Sequence, residues 1–151
     1  MDKDTLRTDL SKEYIHMKEL LQSHVETTTD TISIRDLQGN ILLVNSAFEK
    51  IYGWIYQDLI NDPYCLVPEN LINETKEIFQ QIKFSGKKIS GYETVRNRKD
   101  GTFVQVGLTA SPIRDTVGNI VGTSVIARDI TDRKKAEEAL LESEAKYRIL
   151  I

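Results

Sequence analysis

The apolar positions change their period several times along the 151 residues of this chain. Residues 4–25 contain no Gly or Pro, and Leu10, Tyr14, Met17, Leu21 and His24 recur at steps of four, three, four and three. That spacing puts one face of a helix against a second helix. About two heptads do not sustain an isolated coiled coil, so a partner is expected. Thr27, Thr28, Thr29 and Asp30 end the segment. Residues 31–37 predict a strand. Gln38-Gly39-Asn40 predicts a tight turn, and residues 41–44 form a short apolar run that fits a buried strand. Asn45 predicts a helix cap, with Phe48, Ile51 and Tyr52 on one face and Gly53 as the stop. Pro63 and Pro68 mark a stretch of short turns. Residues 69–83 predict a longer helix with Leu71, Ile72, Ile78, Phe79 and Ile82 as its apolar face.

Three strands follow, over residues 89–98, 103–113 and 120–128. Asp100-Gly101 joins the first two and residues 115–119, ending in Gly118-Asn119, join the last two. Val104, Val106 and Leu108 alternate onto one face. From Thr131 a charged, alanine-rich stretch runs without a breaker to Ile151. Ala136, Leu140, Ser143, Tyr147 and Leu150 make a second seam for a partner helix. Two strands, several helices and three more strands define an α+β domain.

Composition narrows the function. Twenty Lys and Arg against 23 Asp and Glu give a net charge of −3, which argues against nucleic acid or an anionic membrane as a partner. Cys65 is the single cysteine, so no disulfide framework forms within the chain. No apolar run reaches the length of a membrane span, and residues 1–25 do not read as a signal peptide. A cytoplasmic location is expected.

Specific residues carry a family resemblance. The first part holds Asp36, Gly39, Ile41, Val44-Asn45, Ala47-Phe48 and Gly53-Trp54. The second holds Arg98-Lys99-Asp100-Gly101-Thr102, Pro112-Ile113-Arg114-Asp115, Gly118, Gly122 and Arg128-Asp129-Ile130-Thr131-Asp132-Arg133-Lys134. In this order and spacing they resemble a PAS domain with its C-terminal PAC motif, over about residues 28–135. The resemblance implies a PAS fold: a five-stranded antiparallel sheet of order 2-1-5-4-3, helices on one face and an enclosed pocket. It implies three segments: an N-terminal amphipathic helix (1–27), the PAS domain (28–130) and a C-terminal signalling helix (131–151). Glu144-Ala145-Lys146-Tyr147-Arg148 is similar to the lead-in of a further PAS domain. The whole resembles the N-terminal sensor module of a multi-PAS histidine kinase of the sporulation type, with kinase domains downstream in the same chain.

What the resemblance implies is sensing, not catalysis. Leu6-Arg7-Thr8-Asp9-Leu10 echoes a phosphoacceptor motif but lacks the His that should precede it. His16 and His24 are read as solvated or seam residues. The segment is therefore not expected to be an enzyme, and no His, Cys, Asp and Glu cluster supports a metal. Flavin-binding relatives place a reactive Cys in an Asn-Cys-Arg-Phe run, and Pro63-Tyr64-Cys65-Leu66 does not match it. The amide positions of those relatives align with Arg96, Val106 and Ser124, which argues against flavin. Haem is disfavoured because residues 69–84 contain no His. Gly86-Lys87-Lys88 lacks the glycine spacing of a phosphate loop.

A small-molecule pocket remains. Family alignment points Tyr92, Thr94, Arg96, Val106, Leu108 and Ser124 inward, with Phe48 and Tyr52 closing the helix side. A buried Arg96 would want an acidic partner or a small anionic metabolite. The favoured alternative is that Arg96 snorkels to water from an edge strand. For Arg35 two readings stand. Alternation in Ile32-Ser33-Ile34-Arg35 buries the two Ile and exposes Arg35. The alignment turns Arg35 inward and packs the Ile residues under the N-terminal helix. Asp129, Ile130 and Thr131 form the expected signal junction, with Asp129 accepting local hydrogen bonds or pairing with an arginine. Leu10, Tyr14, Met17, Leu21, Leu140 and Tyr147 form the expected seam of a homodimer. The competing function is a ligand-free dimerisation module, or the input domain of a transcription regulator or diguanylate cyclase.

Overall fold

The computed structural model describes residues 2–150; Ile151, the end of the predicted last helix, and the side chain of Leu150 in its seam lie outside that description. The order is α1 (Lys3–Thr27), β1 (Thr31–Asp36), β2 (Ile41–Val44), α2 (Ser46–Tyr52), α3 (Tyr56–Asn61), a 3-10 turn (Glu69–Leu71), α4 (Ile72–Ser85), β3 (Ile89–Asn97), β4 (Phe103–Arg114), β5 (Ile120–Asp129) and α5 (Thr131–Leu150). The five strands form one antiparallel sheet of order β2-β1-β5-β4-β3. The middle helices cover one face, and Ile41, Phe48, Leu59, Ile82, Val104 and Val106 are the fully buried centre of the core.

Local chemistry explains the element ends. The Asn45 side chain accepts from the Phe48 amide and caps α2, and Gly53 ends that helix at φ 76. A left-handed residue there favours glycine. Asn45 is also a buried node. Its Oδ1 accepts from the Ile32 amide at 2.9 Å, and its Nδ2 donates to the carbonyls of Val25 and Asp30, both at 3.0 Å. One amide thus ties the end of α1 and the start of β1 to α2.

Two expectations are corrected here. The stretch before Pro63 is not all turns, because Tyr56–Asn61 form α3. Its six residues bury only Leu59, too little to show a period in sequence. The N-terminal helix does not cover the sheet. No residue of α1 is buried, and Ile32 and Ile34 stay half-exposed on the outer face instead of packing under residues 10–24.

Candidate functional site: a two-arginine cavity and its junction

Strand parity builds the site. Thr31, Ser33 and Arg35 alternate inward along β1, opposite Ala127, Val125 and Thr123 of β5. The plain alternation reading of Arg35 is therefore corrected: the arginine goes in and the isoleucines go out. On β4 and β5, Leu108, Ala110, Val125 and Ala127 share that inner face, and α2 supplies Phe48 and Tyr52. The two rings meet edge to face with centroids 4.8 Å apart. These residues enclose a cavity of about 50 Å³, closed from above by Leu66, Ile78 and Phe79.

Two guanidinium groups line this small cavity and no carboxylate does. Arg35 is 5% exposed and Arg96 is 6% exposed. The snorkelling expectation for Arg96 is thus corrected. β3 is an edge strand, but the helical layer covers it at that point: the Asn97 amide donates to the Leu66 carbonyl at 2.7 Å and the Trp54 indole donates to the Asn97 carbonyl at 2.8 Å. Arg96 Nη1 donates to the Val95 carbonyl at 3.0 Å and to Thr94 Oγ1 at 3.5 Å. Arg35 Nη1 donates to the Gly39 carbonyl at 3.0 Å and Nη2 to the Pro63 carbonyl at 2.5 Å. Its guanidinium also lies 5.4 Å from the Tyr64 ring centre and 5.9 Å from that of Phe79. Burial pulls both arginine pKa values down, yet a guanidinium stays charged at neutral pH. All these contacts go to neutral groups; the carboxylates of Asp62 and Glu74 attract Arg35 and Arg96 without forming an ion pair among the described residues.

The other expected pocket residues fall outside the cavity. Tyr92 and Thr94 have inner-face parity but sit toward the β3 edge, where the Tyr92 hydroxyl meets the Glu74 carboxylate. Val106 faces inward and is consumed by the core. Ser124 is corrected outright: it pairs with Ile34 of β1 and Ser111 of β4 on the outer face, one residue out of phase with Val125. Burial, with Asp62 and Asp58 nearby, pushes the Cys65 thiol up to about 11, far from the range of a reactive thiolate.

The end of β5 is built as a fastening. Asp129 Oδ1 accepts from the Thr131 amide at 2.9 Å and from its hydroxyl at 2.5 Å, while Oδ2 lies 3.8 Å from Arg98 Nη2. Arg98 Nε donates in turn to the Ile51 carbonyl at 3.1 Å, beside the cavity residue Tyr52. Ile130 is buried, and its amide donates to the Gln105 carbonyl at 3.0 Å. Glu93 of β3 receives Lys134 at 2.6 Å and also meets Arg133, fixing the first turn of α5 to the sheet. Sequence inspection missed Glu93, since nothing local distinguishes a strand glutamate that faces a helix from one that faces water. Leu10, Tyr14, Met17, Leu21, Leu140 and Tyr147 are all more than half exposed in the single chain.

An antiparallel sheet with helices on one side, an internal cavity and a helix continuing from its last strand defines a class of small α+β domains. The chain belongs to the PAS-fold family, whose pattern it matches over residues 17–130. It is 26% identical over 130 residues to the signal transduction histidine-protein kinase AtoS of Escherichia coli, covering 80% of this chain and 19% of AtoS. It is 30% identical over 113 residues to the C4-dicarboxylate transport sensor protein DctS of Rhodobacter capsulatus, covering 74% of this chain and 17% of DctS. The chain thus spans less than a fifth of those relatives' length. Among solved structures, the PAS domain of a protein from Colwellia psychrerythraea superposes with a TM-score of 0.65 at 28% identity, covering 77% of this chain and 98% of that domain. Among the described residues no helix is long and apolar enough to cross a membrane.

Proposed function

We propose that this domain is the sensory input segment of a longer histidine kinase, in which a molecule in the cavity or a partner on the sheet biases the direction of α5. The observation that carries this is the continuous chain of contacts from the cavity to the helix: Tyr52 beside Ile51, Ile51 to Arg98, Arg98 to Asp129, Asp129 to Thr131. A ligand shifts such an arrangement only by its difference in affinity between two states, and in this reading the two states differ in these bonds at the root of α5. The exposed seams of α1 and α5 support a homodimer in which that difference becomes a change of helix register. In this reading the domain is a cytoplasmic sensor with PAC-type C-terminal strands, followed by another PAS domain and the kinase domains, as in kinases of sporulation type.

A second reading has its own support. Ile32, Ile34, Leu43 and Ile126 form an apolar strip on the uncovered outer face, which fits a ligand-free dimerisation module. Substituting Asp129→Ala in the full-length protein tests the first reading. Autophosphorylation is expected to change severalfold while the isolated domain keeps its fold, since the bonds removed lie at the exposed junction. Unchanged autophosphorylation in a folded variant would count against a coupling role.

A further inference from the structure

The inner cavity has a neighbour. A cleft of about 290 Å³ lies between the β1–β2 turn and α4, and Arg35 and Phe79 line both spaces. Arg35 therefore stands at the boundary. Lys76 and Lys83 line the outer cleft from α4, with Phe79 and Gln80 between them on the same helix face. Neither lysine is in an ion pair among the described residues. Lys76 instead lies 5.2 Å from the Tyr64 ring centre. The cleft has one acidic residue, Asp36, and its carboxylate is already taken. Oδ1 accepts from the amides of Gln38 and Asn40 and Oδ2 from the Asn40 side chain.

We propose that this cleft is the mouth and head-group site for a small organic carboxylate, held by Arg35 with Lys76 and Lys83, its apolar body pointing past Phe79 toward the inner cavity. Three cations converge from two elements, and Asp36, the one acidic residue lining the cleft, is spent on a turn. Arg35 has five N–H donors and uses two in the contacts above. Its fork matches the two oxygens of a carboxylate, and the lysines act as point charges beside it. The tyrosine and phenylalanine rings hold the guanidinium plane in place. Size sets the scale of the ligand: an inner space of 50 Å³ takes a short apolar segment and no more. The charged end and most of the molecule stay in the cleft.

This deepens the sensory proposal and rests on it for any effect on output, but binding itself is measurable apart from output. The 151-residue chain is titrated, at ionic strength matched with sodium chloride, with acetate, butyrate, succinate, glutarate and citrate. Succinamide is the uncharged control, and inorganic phosphate is the anion with no apolar body. At least one carboxylate is expected to raise Tm by about 3 °C or more near saturation and to shift the amide resonances of Gly39 and Phe79. The double variant Lys76→Glu/Lys83→Glu changes exposed side chains, so it is expected to keep the parental Tm and to weaken binding at least tenfold. The proposal is overturned if no carboxylate binds, if succinamide binds as well, if the double variant binds unchanged, or if phosphate alone binds as tightly. Were it overturned while Asp129→Ala still altered autophosphorylation, the sensory reading would stand and only the mouth would lose its role.

Discussion

The sequence Arg-Asp-x-x-Gly-Asn occurs twice, at residues 35–40 and 114–119, and the two copies fold alike up to their arginines. In each hairpin the aspartate oxygen gathers the amides two and four residues on: Gln38 and Asn40 in one, Val117 and Asn119 in the other. In each the arginine Nη1 donates to the turn's glycine carbonyl, at 3.0 Å for Arg35 and 2.9 Å for Arg114. Even the second contact is parallel, Arg35 Nη2 to the Pro63 carbonyl and Arg114 Nη2 to the Gly86 carbonyl. The difference is location. Both arginines follow a register shift in their hairpin, but Arg35 leaves the inner face of a covered strand and is buried, whereas Arg114 is exposed. The two turns lie side by side at the same end of the sheet, where Gly122 pairs with both Asp36 and Ile113, yet the same local grammar makes an exposed clamp in one hairpin and a charged wall of the cavity in the other.

The largest expected effect breaks the pair apart. Arg35→Ala strips two covered carbonyls of their donor and opens the cavity wall, and it is expected to lower stability by about 2 kcal/mol. Arg114→Ala removes contacts that water replaces, and it is expected to cost no more than about 0.5 kcal/mol. Urea unfolding of the two variants measures both. Arg35→Met sharpens the result: it keeps the apolar stem, so it is expected to recover about half of the Ala deficit by the packing share of an arginine side chain. Equal losses at positions 35 and 114 would show that the turn, not burial, sets what each arginine does.

A smaller effect tests the shared part. Gly39 and Gly118 have φ of 87 and 98, a region that costs a side chain about 1 kcal/mol. An added Cβ would stand 3.4 Å from the Tyr64 hydroxyl at Gly39 and would meet nothing within 4 Å at Gly118. Both distances are tolerable, so Gly39→Ala and Gly118→Ala are expected to lose about the same, roughly 1 kcal/mol each by that backbone cost. A gap of more than about 1 kcal/mol between them, beyond the usual scatter of single substitutions, would mean that the two turns are not equivalent.

What was legible in the sequence follows the same division. Turns and caps depend on neighbours a few residues away, so Asn45, Gly53 and Gly101 announced their elements, whereas the strand order, which pairs β1 with the distant β5, came from the family resemblance. The site depends on parity and on what covers each strand, which are not local. Arg35 could be assigned inward only through the resemblance, because Ile32 and Ile34 made the opposite pattern by themselves. Ser124 was one residue out of phase. Arg96 looked free on an edge strand until Leu66 and Trp54 were seen to cover that edge. Lys76 and Lys83 lie on the exposed side of an amphipathic helix, where lysines are the ordinary choice, and only the cleft beneath them singles them out.

The smallest expected effect concerns acid, and it should leave the two hairpins indistinguishable. The Asn119 amide is the main cause that holds the Asp115 carboxyl below the usual range; burial opposes it, and the further bonds from Val117, the Asn119 side chain and Gly118 keep the carboxyl low. At Asp36 burial pulls upward, but the bonds from Asn40, Gln38 and Gly39 together outweigh it and again leave the carboxyl low. A carboxyl whose pKa is lower in the folded chain stabilises it at pH values above the unfolded value, about 3.9. That stabilisation is lost as pH falls through the folded value, when the acid form can no longer accept both amides. Tm is therefore expected to be flat in these contributions from pH 7 to about 5 and to decline below about 4. Asp36→Asn and Asp115→Asn should each flatten that decline by a similar amount, and added salt should change it little because the partners are amides rather than ions. If Asp36→Asn alone altered the acid limb, the carboxylate would be answering to the buried guanidinium next to it in the chain. The two turns would then differ in their electrostatics as well as in where their arginines point.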